Sequence, residues 1–205
     1  MFNLETFAKD VHKNAVEHGW WDGERKKSTI RALIVSECSE ALEEARAGRP
    51  MVWHKCMDPA DEQEICERNA DCPCKLDMWE CDCAANDPKP EGIAVELIDA
   101  CIRILDDLEH EGCMGGELLE KWEKRAVMCA LNETGEAVER LDLDDVIDLV
   151  EYCASMSRAW ELYWLSAAFG IVWLWVKHQG LKPETIIQQK HRYNRTRPYK
   201  HGKMF

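Results

Sequence analysis

Apolar residues recur at three- and four-residue intervals through most of this chain, the period of helices that bury one face. Between residues 28 and 46, Ile30, Leu33, Ile34, Cys38, Ala41, Leu42 and Ala45 share one arc, and Ile93, Leu97, Cys101, Ile104, Leu105 and Leu108 share another. The pattern predicts helices near residues 3–18, 27–47, 91–111, 116–140, 143–157, 159–178 and 183–195. Gly19, Gly23, Gly48-Arg49-Pro50, Gly112, Gly115-Gly116, and Gly180 with Pro183 punctuate them. No alternating strand pattern stands out, so the fold class expected is all-α, a helical bundle in a single domain over residues 1–205. The longest uncharged run, Leu162 to Val176, has 15 residues. A membrane span needs about 20, so the run reads as a buried helix and no membrane partner is expected.

Two stretches interrupt this regularity. Residues 51–90 have little periodicity and hold Cys56, Cys66, Cys72-Pro73-Cys74 and Cys81-Asp82-Cys83. Two C-x-C units can present four thiolates to a structural Zn2+, which would give such an insertion a folding nucleus; disulfides and reduced thiols are the other two readings. Cys38, Cys101, Cys129 and Cys153 fall within helical patterns and read as small core residues. Residues 113–177 form a helical insertion or a degenerate internal repeat. Leu131-Asn132-Glu133-Thr134-Gly135-Glu136-Ala137-Val138-Glu139 echoes Val35-Ser36-Glu37-Cys38-Ser39-Glu40-Ala41-Leu42-Glu43, and Asp145-Val146-Ile147-Asp148 echoes Glu96-Leu97-Ile98-Asp99. Two ordinary acidic helices would look much the same.

The chemistry suggested by the chain lies in Glu37-Cys-Ser-Glu40 and Glu96-Leu-Ile-Asp99. Residues three apart on a helix stack on one face, so each pair can aim its oxygens at one point. In a chain with 39 acidic residues such pairs also arise as solvated helix faces. Glu37 projects inside the apolar arc, between Leu33 and Ala41, with Glu40 at its edge; a carboxylate on the buried side needs a partner. Glu96 and Asp99 lie outside the arc of their helix, and only packing against the first helix would bury them. Four carboxylates brought together call for hard divalent cations, Mg2+ or Mn2+.

These blocks resemble a known family. Gly19-Trp20-Trp21-Asp22 followed by residues 32–46 is similar to the first metal helix of the MazG-like all-α nucleoside triphosphate pyrophosphohydrolases, and residues 95–106 to the second. His178-Gln179-Gly180-Leu181 running to Lys190-His191-Arg192-Tyr193-Asn194-Arg195-Thr196-Arg197-Pro198-Tyr199-Lys200-His201-Gly202-Lys203 resembles the closing segment of the family, especially of its compact phage and bacterial members. The resemblance implies hydrolysis of a (deoxy)nucleoside triphosphate to the monophosphate and pyrophosphate. Glu37, Glu40, Glu96 and Asp99 would then be the metal-holding and catalytic carboxylates. It also implies a homo-oligomer, dimer or tetramer, whose interface would hide the apolar helix, and a cytoplasmic setting in a bacterial or phage-infected cell.

Charge distribution fits that expectation. The net charge is −13, which argues against a nucleic-acid partner, yet from Gln188 to Phe205 there are six Lys or Arg residues and no acid. Lys190, Asn194 and Arg197 recur at roughly helical spacing, and an ammonium, an amide and a guanidinium are donors for phosphate oxygens. Trp20 and Trp21, just before the first acidic helix, are candidates to stack on a nucleobase, with core packing the alternative. Two other functions remain open: a metal-dependent hydrolase of a nucleoside diphosphate derivative or phosphoribosyl nucleotide, and a nonenzymatic zinc-bearing helical interaction module.

Overall fold

The computed structural model describes residues 2–57, 64–67, 89–158 and 161–202. In chain order the helices are α1 (Leu4–Glu17), α2 (Lys27–Arg46), α3 (Ile93–His110), α4 (Leu119–Thr134), α5 (Leu143–Met156), α6 (Glu161–His178) and α7 (Pro183–Thr196). Short 3-10 turns follow at Val138–Arg140 and Tyr199–Gly202. The all-α expectation holds, with one addition. Three short strands, β1 (Trp53–Met57), β2 (Glu64–Glu67) and β3 (Lys89–Glu91), form an antiparallel sheet in the order β2-β1-β3. Strands of three to five residues carry too few positions to show an alternation, which is why the pattern missed them.

Helix α3 is the axis of the fold. Val95, Ile98 and Ile102 add a second apolar side to the predicted arc, and the helix is buried almost all round by α1, α2, α6 and α7. Its start is fixed by Gly92, at φ 113°, where a Cβ would sit 2.7 Å from the Pro50 carbonyl oxygen. Only glycine lets the turn after α2 close so tightly over the first turn of α3. The acidic ends of α2 and α3 are thereby held side by side.

Helix α6 is apolar on every side and lies against α4, α5 and α3. A Cβ at Gly170 would run into the Trp122 carbonyl, so this glycine sets how closely α6 and α4 approach. Trp122 and Phe169 meet edge to face at 4.9 Å, and Trp173 and Trp175 are buried nearby. The predicted buried helix is therefore covered within one chain, and its burial needs no second copy. No helix among the described residues is long and apolar enough to cross a membrane.

The helix predicted over 116–140 is shorter than its pattern. Gly135, at φ 75°, caps α4 in the left-handed conformation and the chain turns before the 3-10 turn at Val138. Cys38, Cys101, Cys129 and Cys153 are buried free thiols in the core, as expected. Of the cysteine insertion, Cys72, Cys74, Cys81 and Cys83, and with them the zinc reading, lie outside the described residues; Cys56 and Cys66 are backbone partners across β1 and β2.

Candidate metal centre

Three of the four predicted carboxylates converge. Glu37 from α2 and Glu96 and Asp99 from α3 each offer an oxygen, and these atoms lie within 4.8 Å of one another. Among the described residues this is the one group of three or more acidic, histidine or cysteine side chains that so converges. Relative exposures are 4% for Glu37, 2% for Glu96 and 4% for Asp99. Glu37 is inward as its arc predicts. The second pair is buried although it lies outside the arc of α3, because both α2 and α7 pack over that side. Glu40 is exposed and falls outside this converging group, although its charge acts on Glu37 and it shares with Glu96 a pocket of about 250 Å³ lined by Ser39, Glu40, Glu43, Glu44, Glu91 and Glu96.

The basic segment supplies what its spacing suggests. Lys190 and Asn194, one turn apart on α7 and only 3% and 7% exposed, face the carboxylates. The Lys190 ammonium donates to both Glu96 oxygens at 3.2 and 3.0 Å and stands 3.6 Å from Asp99 Oδ2. Asn194 Nδ2 donates to Asp99 Oδ1 at 3.2 Å, while Asn194 Oδ1 is buried without a hydrogen-bond partner. Arg197, half-buried just past α7, is near enough to favour the Asp99 charge. His18 Nε2 holds its carbonyl at 2.9 Å.

Arg103 is the residue the sequence reading passed over. It lies four after Asp99 on the same side of α3, and its guanidinium meets Glu37 Oε1 at 3.1 Å through Nε and 3.0 Å through Nη2. The acids are thus partly compensated by cations of the protein itself. Two cations stand among three carboxylates, and the charge is still unbalanced. Burial, with repulsion from Asp99, pushes Glu37 up to about 7. Burial likewise pushes Glu96 up to about 8, the nearby Asp99 charge adding to it, against the pull of Lys190. Burial opposes the Asp99 charge too, but Lys190, Arg103 and the Asn194 hydrogen bond outweigh it and hold its pKa below the usual value. A cluster that cannot keep all its carboxylates ionised near neutrality gains by taking in more positive charge. The donor set, all carboxylate and amide oxygen, fits Mg2+ or Mn2+ rather than a soft metal.

The polar side of α3 continues beyond Arg103 to Asp106. Asp106 accepts from the Trp21 indole at 2.9 Å and pairs with His12 at 2.7 Å and Arg25 at 3.4 Å. Trp21 also stacks on His110 at 3.6 Å, and the Arg25 guanidinium lies 5.6 Å from the Trp20 ring and 5.3 Å from that of Trp21. One face of Trp21 is therefore occupied within the chain. Asp106 is seven residues from Asp99, a rise of about 10 Å, so the tryptophans stand along the helix from the carboxylates rather than among them. The segment carrying them is latched to the chain's end: Tyr199 donates to Asp22, and the Lys200 amide donates to the His18 carbonyl at 2.9 Å.

The echoed acids behave differently. Glu133, Glu136 and Asp148 are exposed, Glu136 lies beyond the glycine that ends α4, and Asp145 is spent on a capping box with Asp142 at the start of α5. No family model matches this chain, and no curated protein or solved structure does either.

Proposed function

We propose that the chain is a metal-dependent nucleoside triphosphate pyrophosphohydrolase of the MazG-like all-α type, which cleaves a (deoxy)nucleoside triphosphate to the monophosphate and pyrophosphate. The observation that carries the reading is the convergence of Glu37, Glu96 and Asp99 directly beneath Lys190 and Asn194. Acids that hold a cation and donors that meet phosphate are two halves of one polyanion site. Mg2+ or Mn2+, when bound, would neutralise the triphosphate and activate water for attack at phosphorus.

The chain's own residues divide the remaining work. Glu37, Glu96 and Asp99 are the metal-holding groups, and Glu40 at the pocket rim is placed to join them from the solvent side. Arg103 fixes the Glu37 carboxylate, and Asn194 fixes that of Asp99. Lys190 and Arg197 provide positive charge for the phosphates, most valuable where negative charge builds on the departing pyrophosphate. Glu37 or Glu40 accepts a proton from the attacking water. Trp20 and Trp21 are the base-side candidates, although Trp21 already meets His110 and Arg25 within the chain. A homo-oligomer remains part of this proposal.

The deciding experiment follows pyrophosphate and orthophosphate release from a panel of nucleoside triphosphates, nucleoside diphosphate derivatives and phosphoribosyl nucleotides, with Mg2+ or Mn2+ and with chelator. Metal-dependent pyrophosphate from triphosphates supports the reading. Turnover of the other nucleotides alone would move the assignment to another phosphohydrolase, and no turnover of any would leave the zinc-bearing interaction module.

A further inference from the structure

Lys190 occupies an unusual position for a phosphate-binding group. Its ammonium is buried, and it spends its hydrogen bonds on both oxygens of Glu96 while standing 3.6 Å from Asp99. These are two of the three carboxylates that converge as candidate metal ligands. A divalent cation on the same carboxylates would lie within about 5 Å of that ammonium, counting a metal–oxygen bond and a hydrogen bond end to end, and like charges at that range repel strongly. Glu96, although only 2% exposed, also lines the pocket of about 250 Å³ that it shares with the exposed Glu40, so the ion pair lies at the wall of a cavity and not deep in the apolar core. The Lys190 stem has four rotatable carbons, and α7 itself is anchored independently through Ile186, Ile187 and His191.

We propose that Lys190 is an exchangeable counterion: a divalent cation displaces its ammonium from Glu96, and the displaced ammonium becomes the donor that captures a phosphate of the incoming polyphosphate. This rests on the metal-site reading above and adds a coupling to it. Before exchange, the lysine keeps buried acids compensated and the helices in place. After exchange, the same charge is redirected outward. Cation and polyphosphate therefore favour each other's binding through one side chain, in equal measure in both directions. Asn194 does not move in this scheme, since it holds the other oxygen of Asp99 at 3.2 Å.

The test measures Mn2+ binding to the full chain by calorimetry, alone and with an α,β-imido nucleoside triphosphate that resists cleavage. Wild-type protein should bind Mn2+ more tightly when the analogue is present. Lys190→Met should bind Mn2+ alone about tenfold more tightly or better, and the analogue should add little further. Arg103→Met, which removes a charge from the same cluster but not the exchanging one, should tighten Mn2+ while keeping the analogue's effect. Lys190→Arg should keep Mn2+ binding as weak as in wild type. If Lys190→Met proves too unstable to titrate, its melting temperature should rise with Mn2+ more than that of wild type. Unchanged or weaker Mn2+ binding in Lys190→Met, or a smaller thermal shift, overturns the exchange. Glu96→Gln separates the two failures: if neither wild type nor any variant binds Mn2+ in a Glu96-dependent way, the metal site itself is wrong and the exchange falls with it.

Discussion

The α2–α3 pair and the α4–α5 pair carry echoing acidic sequences and put them to opposite uses. In the first, Glu37, Glu96 and Asp99 point inward and share two cations, the buried Lys190 and the half-buried Arg103. In the second, Glu133, Glu136 and Asp148 face solvent, and Asp142 and Asp145 hold a helix end through reciprocal hydrogen bonds. The spacing is the same; the surroundings differ. What separates the two is what lies over the acidic side: α7 with its lysine and asparagine in one case, water in the other. An E-x-x-[DE] pair becomes a candidate site only where another element covers it with compensating charge.

The sharpest way to separate the halves is to damage one and watch the other. Trp122→Ala removes a fully buried ring from the α4–α6 contact and should cost about 3–5 kcal/mol in urea unfolding. Turnover per folded molecule should be little changed, since Trp122 sits on α4, which packs mainly against α6. A specific loss of turnover at full folding would join the two halves functionally.

The converse damage should appear in chemistry. Glu37→Gln, Glu96→Gln or Asp99→Asn should each lower pyrophosphate release at least about a hundredfold, near 3 kcal/mol of barrier. Glu133→Gln, Glu136→Gln and Asp148→Asn should stay close to wild type. Comparable losses on both sides would erase the contrast and give the α4–α5 acids a part in turnover as well. Glu40→Gln should fall between, because Glu40 stands at the rim and not in the cluster.

Acidity offers a third comparison. Glu37 and Glu96 have folded pKa values of about 7 and about 8, raised from an ordinary 4.5. Between those values the folded chain holds protons that the unfolded chain has released, so this contribution to stability is complete below about pH 4.5 and is lost as pH rises through 7 to 8. Urea midpoints in chelator should therefore fall between pH 6 and pH 8.5, by about 1–3 kcal/mol, and Mn2+ should offset the fall. Glu96→Gln should flatten the slope. A slope unchanged in Glu96→Gln would place its origin elsewhere.

The smallest effect belongs to the cap. Asp142→Ala should cost about 1 kcal/mol through loss of the hydrogen bond to the Asp145 amide, with turnover untouched.

Much of this was legible in one dimension. Six of the seven helices lie within two residues of their predicted bounds at each end, because a 3.6-residue apolar period is a local property. The early end of α4 was legible too, in Gly135, but the apolar pattern runs on past it. Glu37 could be assigned inward from its own helix. Glu96 and Asp99 could not, since their burial depends on α7, almost a hundred residues later. Arg103 carried a signal, sitting at the fourth residue after Asp99 outside the apolar arc, and only its partner on α2 gives that position meaning.

One consequence concerns time. The candidate site is spread over residues 37, 96–103 and 190, and a ribosome delivers the last of these long after the first. Until α7 emerges, the nascent α2–α3 pair has three converging carboxylates and one arginine to balance them. Docking of α7 is thus the step that brings the cluster its second cation, and it comes late by construction. In the interval a divalent cation from the surroundings would serve the growing chain as a temporary clasp.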